Sequence, residues 1–338
     1  SACLVGSEMC IRDRNKDTAP GTASTQHPTR ERIGLVVSGW DAAEAVSTIV
    51  AAEAVGVRQI WITQSTPAPD TLTIFGAAAV QTTSVRMGTA IVPIYPRNPL
   101  ALAQQALALG DLAPERVRLG VGPSHKPTME EVYGIPMTAP LEHLREYVTV
   151  LRAALWEGKV DYHGRFYAIK TTLQRTPHTP ILISALREGA FQLAGEVADG
   201  AISWVCPVQY LLEKALPALR AGATKSGRLA PPLVAHIPVA LSHDRQAVLA
   251  AARKRLGGYG KLPFYANMFA DAGFPVSADG TMPDALIDNL MVSGDETAIA
   301  ARLAELLVMG LDELLVMPVA VADPEGEQLR LMNLIGQL

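Results

Sequence analysis

The sequence predicts an α/β protein with one large domain, a TIM (β/α)8 barrel, on the basis of three observations. Short apolar runs rich in β-branched residues alternate with longer Ala- and Leu-rich runs of helical spacing, which is typical of βα units around a parallel sheet. Eight such units follow one another from residue 33 onwards, and that number favours a closed barrel over an open sheet. The chain has 338 residues, enough for the roughly 250 residues of a barrel plus insertions. We therefore expect one barrel domain over residues 32–338.

The first four units are defined by their strand patterns and by residues that start helices. Strands are predicted at 33–37 (IGLVV), 59–63 (QIWIT), 85–92 (VRMGTAIV) and 116–122 (RVRLGVG). Helices are predicted at 41–55, from 69–70 onwards, at 98–112 and at 141–156. Asp41 can accept hydrogen bonds from the free amides of the first helix, and Pro99 suits a first helical turn.

A short insertion separates these units from the last four. KVDYHGRFYAIK at 159–170 alternates in period two around His163 and Gly164, which predicts a β-hairpin outside the barrel. Strands five to eight are predicted at 179–185, 200–205, 232–241 and 311–319. The stretch 261–290 is too long for an ordinary connection, so we expect extra helices over the barrel mouth between strands seven and eight. Its apolar side chains suggest a hydrophobic substrate or, equally, a packed amphipathic helix: Phe264, Tyr265, Met268, Phe269 and Phe274.

The first 31 residues differ from the rest of the chain. They lack helical or strand periodicity and are rich in Ser, Thr, Pro and charge, so we expect a disordered or loosely packed tail. The opening SACLVGSEMCIRDR resembles a translated sequencing-adaptor fragment, which would make it an artefact of gene calling.

Composition favours a small-molecule ligand. The formal net charge of -4 argues against nucleic-acid and anionic-membrane partners, which attract patches of Lys and Arg. The sequence has neither a membrane-length apolar run nor an apolar signal segment, so we expect a cytoplasmic protein. Of three cysteines only Cys206 lies outside the tail, and the histidines have no ligand spacing, so we predict neither a disulfide framework nor a metal site.

Several familiar catalytic motifs are missing from the sequence. There is no GxSxG, HExxH or CxxC, which removes common hydrolase, zinc-protease and thiol-redox signatures. Gly120 and Gly122 form a GxG after strand four, but the third glycine of a dinucleotide fingerprint is absent.

Two long segments resemble a known family. GTAIVPIYPRNPLALAQQALALGDLAPERVRLGVGPSH at 88–125 and LISALREGAFQLAGEVADGAISW at 182–204 resemble luciferase-like oxidoreductases, especially the subset dependent on coenzyme F420. The resemblance extends from about residue 33 to the C-terminus. It implies a (β/α)8 barrel, usually a homodimer, that holds F420 or FMN non-covalently at the C-terminal ends of its strands.

The resemblance implies cofactor contacts at the ends of strands three, four and five. Gly120, Gly122 and Ala90 would let a flat ring approach the backbone closely. Relatives carry a non-prolyl cis peptide after strand three, which corresponds here to the bond between Ala90 and Ile91. The amides that open the helix after strand five could cradle a cofactor phosphate: those of Ser184, Ala185, Leu186 and Arg187.

Two further residues are candidates at the barrel mouth. Trp61 is equally well interpreted as a cofactor contact or as a packing residue. Arg97 is placed to pair with a phosphate or with a carboxylate.

Candidate catalytic residues follow strands two and four. His125 is our candidate general acid or hydrogen-bond donor to the substrate, with Ser124 beside it. Many F420 enzymes of this type carry Asp-His after strand two, whereas this chain has Gln64 and Ser65. Gln64 can hydrogen-bond to a ring edge but cannot transfer a proton at neutral pH.

Three hypotheses for the function follow. The first is an oxidoreductase that uses reduced F420 for hydride transfer to a small, hydrophobic organic substrate. The second is an FMN-dependent monooxygenase that uses O2 and a partner flavin reductase. The third is a non-catalytic flavin-binding barrel.

Overall fold

The computed structural model describes residues 29–338 and confirms the closed parallel barrel. Its strands are β1 (Ile33–Val36), β2 (Gln59–Ile62), β3 (Arg86–Thr89), β4 (Val92–Pro93), β5 (Val117–Gly122), β6 (Lys159–His163), β7 (Ala168–Thr172), β8 (Ile181–Ser184), β9 (Gly200–Ile202), β10 (Leu233–Ala240), β11 (Val292–Ser293) and β12 (Glu313–Pro318). Eight of them form a closed ring of parallel neighbours in the order β1, β2, β3, β5, β8, β9, β10 and β12.

The helices lie outside the barrel or over its mouth. They are α1 (Ala42–Ala54), α2 (Thr71–Ala79), α3 (Pro99–Leu112), α4 (Pro140–Arg152), α5 (Glu188–Val197), α6 (Val208–Tyr210), α7 (Leu216–Lys225), α8 (Arg245–Leu256), α9 (Pro263–Asp271), α10 (Asp284–Leu290), α11 (Glu296–Val308) and α12 (Pro324–Gln337). Side-chain caps set several starts: Asp41 accepts from the amide of Glu44 and Asn98 from that of Leu100. Within the described residues, no helix is long and apolar enough to cross a membrane.

The barrel interior is packed in layers of inward-facing side chains. At its amino-terminal end, Arg118 Nη1 donates to Glu313 Oε2 at 2.6 Å, and Gln59 Nε2 donates to the same oxygen at 3.0 Å. The next layer is apolar and buried: Trp61, Leu182, Ile202, Val234 and Leu315. Because strand side chains alternate between faces, the next inward residues on these strands lie at the carboxyl end of the barrel.

The inserted hairpin packs along α4. Strands β6 and β7 pair only with each other and are antiparallel, as the period-two pattern predicts. Glu146 of α4 accepts hydrogen bonds from the amides of Arg165 and Phe166 at the hairpin tip, at 2.8 and 2.9 Å. This carboxylate therefore fastens the tip to the helical layer.

Three features differ from the sequence prediction. The insertion over the mouth begins earlier, because α8, which we did not predict, packs against α10 and leads directly into the 3-10 turn Gly257–Lys261. The C-terminal helix α12 was also not predicted. Of the predicted tail, residues 1–28 lie outside the described residues, whereas Thr29–Arg32 form a 3-10 turn in which the carbonyl of Glu31 accepts from Gln59 Nε2 at 2.6 Å.

Candidate active site

The carboxyl end of the barrel presents a mixed polar and aromatic surface. On each barrel strand, the inward-facing residue two positions after the apolar layer lies at the carboxyl end of the barrel. These residues are Thr63, Ser184, Trp204, His236 and Met317, and Ala90 of the strand-three end adjoins them. The bottom of the mouth is therefore lined by hydroxyl, indole, imidazole and thioether groups.

Thr63 is the most informative of these side chains. Its Oγ1 is buried and has no hydrogen-bond partner within the described residues. A buried hydroxyl without a partner costs about 1–3 kcal/mol, so this atom is suited to a ligand that supplies the missing hydrogen bond.

The corner between β3 and β5 contains the cis peptide that the resemblance predicts, between Ala90 and Ile91. The two glycines beside it have a different role from the one expected. A Cβ on Gly120 would lie 2.0 Å from the carbonyl oxygen of Thr89, and one on Gly122 would lie 2.1 Å from Ser184 Oγ. These glycines therefore admit the protein's own atoms, and the prediction that they admit a ring is corrected.

His125 projects from the turn after β5 toward residues 257–290, the segment over the barrel mouth that we call the roof. Ser124 adopts a left-handed conformation with φ of 62°, a region that L residues seldom occupy. The His125 ring lies 6.0 Å from that of Tyr259 and 5.8 Å from that of Tyr265. Burial lowers the pKa of His125, so at neutral pH the imidazole is uncharged and has one donor and one acceptor nitrogen.

An aromatic wall joins strands β9 and β10 to the roof. Trp204 stacks on His236 with ring centroids 3.7 Å apart, and its Nε1 donates to the Tyr259 hydroxyl at 2.7 Å. Burial and the charge of Arg255 lower the pKa of His236 to about 3, so that ring is neutral and accepts from the amide of Val205. Burial raises the pKa of Tyr259, so its phenol keeps its proton.

Gln64 and Arg97 are both bound to groups of the protein itself. Gln64 Oε1 accepts from the amide of Thr71 at 2.7 Å, which caps α2. Arg97 Nη2 lies 2.5 Å from Asp70 Oδ2. The catalytic role predicted for Gln64 is therefore corrected to a structural one, and of the two partners predicted for Arg97 the structure shows the carboxylate.

Trp61 and Ala185 are likewise committed to the fold. Trp61 is 1% exposed, and its ring fills the space that Cβ atoms on Gly34 and Gly88 would need. The Ala185 amide donates to the Ile202 carbonyl at 2.9 Å. Trp61 is thus a packing residue, and the Ala185 amide is not free for a phosphate.

The start of α5 keeps part of its predicted anion-binding character. No side chain caps it, and the Tyr210 hydroxyl nearby is buried without a hydrogen-bond partner. Arg187 itself pairs with Asp271 of α9, with 2.9 Å between Nε and Oδ2. The backbone around Leu186 and the helix start, rather than the Arg187 side chain, could therefore meet a phosphate.

The apolar roof residues mostly serve packing. Met268 and Phe269 are fully buried, and Tyr265 is 6% exposed, whereas Phe264 is 52% exposed. This arrangement favours the interpretation of these residues as a packed amphipathic helix over the interpretation as a hydrophobic substrate pocket.

Two clefts lie elsewhere, on the outer helical layer. One, of about 590 Å3, runs between α4, β6 and α5; the other, of about 350 Å3, lies between α4, α5 and the end of α7. Their charged groups already form ion pairs, Arg152 with Asp199 and Lys225 with Glu196. None of the mouth residues named above lines either cleft.

Comparison with known proteins gives consistent matches. The profile of the luciferase-like monooxygenase family matches residues 22–313. An F420-dependent glucose-6-phosphate dehydrogenase of Beutenbergia cavernae is 31% identical over 286 residues, covering 80% of this chain and 82% of the relative.

Solved structures share the fold. An F420-dependent secondary alcohol dehydrogenase in complex with an F420-acetone adduct aligns with a TM-score of 0.75 at 20% identity, covering 90% of this chain and 97% of the other. The oxygenating constituent of 3,6-diketocamphane monooxygenase of Pseudomonas putida, in complex with FMN, aligns at 0.69 with 14% identity, covering 90% and 96%.

Some residues of the mouth escaped sequence reasoning. Thr63 and Met317 could have been found, because they continue the inward rows of Trp61 and Leu315 by two residues. Tyr259 and Arg255 gave no signal, since they lie in the insertion whose path no periodicity reveals.

Proposed function

The chain belongs to the luciferase-like monooxygenase family, and on that premise we propose that it is an oxidoreductase that uses reduced coenzyme F420 to transfer a hydride to a small organic substrate. The observation that carries the proposal is the buried, unpartnered Thr63 hydroxyl in a barrel mouth floored by small and aromatic side chains. The choice of F420 over FMN is supported by the 31% identical relative named for its dependence on F420.

The residues of the mouth fit a flat heteroaromatic group. Thr63 Oγ1 would hydrogen-bond to a polar atom of the ring, and the small Ala90 and Ser184 leave room beside it. The uncapped start of α5, with the unpartnered Tyr210 hydroxyl, would meet an anionic tail. When bound, reduced F420 supplies a hydride.

Two side chains at the mouth offer hydrogen-bond donors to the substrate. Tyr259 accepts a hydrogen bond from Trp204 and so directs its own proton elsewhere. His125, neutral at pH 7, can donate one N–H to a substrate oxygen. We assign to His125 the orientation and polarisation of the substrate carbonyl through this hydrogen bond, and the proton that completes the reduction comes from water.

The test is a pair of equilibrium titrations with F420 and FMN, followed by fluorescence. We expect F420 to bind at least about tenfold more tightly than FMN, a difference of about 1.4 kcal/mol. Thr63→Val should weaken F420 binding by about two- to tenfold, the worth of one net hydrogen bond, without lowering the melting temperature of the free protein.

The matched control is Thr82→Val. Thr82 Oγ1 donates to the Ala78 carbonyl at 2.8 Å in the outer helical layer, so its loss should lower stability and leave the F420 affinity unchanged. Tighter binding of FMN, together with substrate-linked O2 uptake when a flavin reductase is added, would replace this proposal with the monooxygenase hypothesis.

A further inference from the structure

Arg255, at the end of α8, is a cation over the barrel mouth without an acidic partner. Its Nη2 lies 3.7 Å from Met317 Sδ, and a thioether is only a weak acceptor. Among residues 29–338, no carboxylate lies within 4.0 Å of it. The neighbouring Arg253 and Arg245 each pair with Asp284, whereas Arg255 is exposed and pairs with no acid among the described residues.

The position of Arg255 ties it to the mouth. Met317 is an inward residue of β12 and is 2% exposed, and its sulfur also lies 3.4 Å from His236 Nε2. The charge of Arg255 acts on both His236 and Tyr259. The guanidinium therefore lies beside the aromatic wall of Trp204 and His236, on the side of the mouth opposite the cis peptide at Ala90.

The two titratable groups on which the charge of Arg255 acts, Tyr259 and His236, are both neutral. Tyr259 lies four residues after Arg255. Its hydroxyl oxygen accepts a hydrogen bond from Trp204 Nε1, so its O–H can donate to another group. Arg187, at the start of α5, pairs with Asp271. An anion beside Arg255 would thus meet a guanidinium capable of bidentate hydrogen bonding and a phenolic O–H, and among residues 29–338 no carboxylate lies within 4.0 Å of that guanidinium.

From this geometry we propose that Arg255 and Tyr259 bind an anionic group of the substrate, a carboxylate or a phosphate monoester. The proposal rests on the proposed function, because it assigns the anion to the substrate and not to the cofactor. It replaces the hydrophobic substrate expected from the roof residues, whose apolar side chains are mostly buried.

The test uses three probes that share a six-carbon chain: hexanoate, hexyl phosphate and hexan-1-ol. Binding to the full chain is measured by calorimetry, with and without saturating F420. At least one anion should bind about tenfold or more tightly than hexan-1-ol, since an anion pairs with Arg255 and the alcohol does not. The anion that binds more tightly shows whether the site prefers a carboxylate or a phosphate monoester.

Variants separate the site from general charge effects. Arg255→Met keeps the aliphatic stem and should cost about tenfold or more in anion affinity, and Arg255→Lys should recover part of it. The matched control Lys254→Met removes the adjacent exposed charge and should change nothing. F420 affinity should be the same in all of them.

Three outcomes would overturn the proposal: equal affinity for the alcohol and both anions, an equal loss in Lys254→Met, or displacement of the anions by F420. The last would assign Arg255 to the cofactor. If the anions bind through Arg255 while F420 does not bind at all, the anion site stands and the proposed function fails.

Discussion

The buried His236 makes a quantitative prediction about acid sensitivity. Its ring is 1% exposed, and burial, with the nearby charge of Arg255, lowers its pKa from 6.5 to about 3. Unfolding exposes the ring and restores the ordinary value, so below pH 6.5 the unfolded chain takes up a proton that the folded chain does not. The contribution of His236 to the free energy of unfolding is therefore fully present above pH 6.5 and is lost as the pH falls toward 3.

The size of the effect follows from the two pKa values. Each pH unit between them is worth about 1.4 kcal/mol, so at pH 5 His236 costs about 2 kcal/mol of folding free energy relative to pH 7. The perturbation is His236→Gln, which keeps an acceptor for the amide of Val205. Its loss of stability from pH 7 to pH 5 should be about 2 kcal/mol smaller than that of the wild type.

Urea unfolding at pH 7 and pH 5, followed by tryptophan fluorescence, measures this difference. His243→Gln is the matched control, since the His243 side chain is 72% exposed, and it should lose stability as the wild type does. Equal pH dependence in wild type and His236→Gln would refute the assignment of a neutral, desolvated imidazole in the barrel.

Three further predictions follow. Gly120→Ala should destabilise the fold by about 1–3 kcal/mol, because its Cβ would meet the Thr89 carbonyl at 2.0 Å; in thermal melts Gly257→Ala, at a position with open space, should have little effect. The rate of substrate reduction should rise with pH through an apparent pKa below 6.5, because burial lowers the pKa of His125 and the neutral ring is the active form; a pH profile unchanged in His125→Gln would contradict this. Glu146→Gln should speed hydrogen exchange at the hairpin tip, whose amides it holds, while exchange in the barrel strands stays the same.

The barrel was predictable because its signal is repeated. Eight strands, the hairpin around His163 and caps such as Asp41 all follow from local pattern, and strand ends agree within a few residues. Helix α8 was missed, because its hydrophobic face is weak and its main contacts lie with α10 and the turn Gly257–Lys261.

The site was only partly predictable, for a different reason. The resemblance located the cis peptide, and the roles that it implies for Ser184 and His125 stay predictions. Residue type alone cannot reveal which partner a polar group finds. Gln64, Arg97 and Arg187 looked available in the sequence, and each is engaged by a capping amide or a carboxylate. Thr63 was not predicted as a site residue, yet its buried hydroxyl has no hydrogen-bond partner among the described residues.

The central claim is that the barrel mouth holds the deazaflavin ring. A crystal structure of the chain with F420 tests it most directly. We predict ring density at the carboxyl ends of the strands, with a polar ring atom within hydrogen-bond distance of Thr63 Oγ1 and the ring facing His125. Density in the outer cleft between α4 and α5, or a ring that leaves the Thr63 hydroxyl without a partner, would contradict the account.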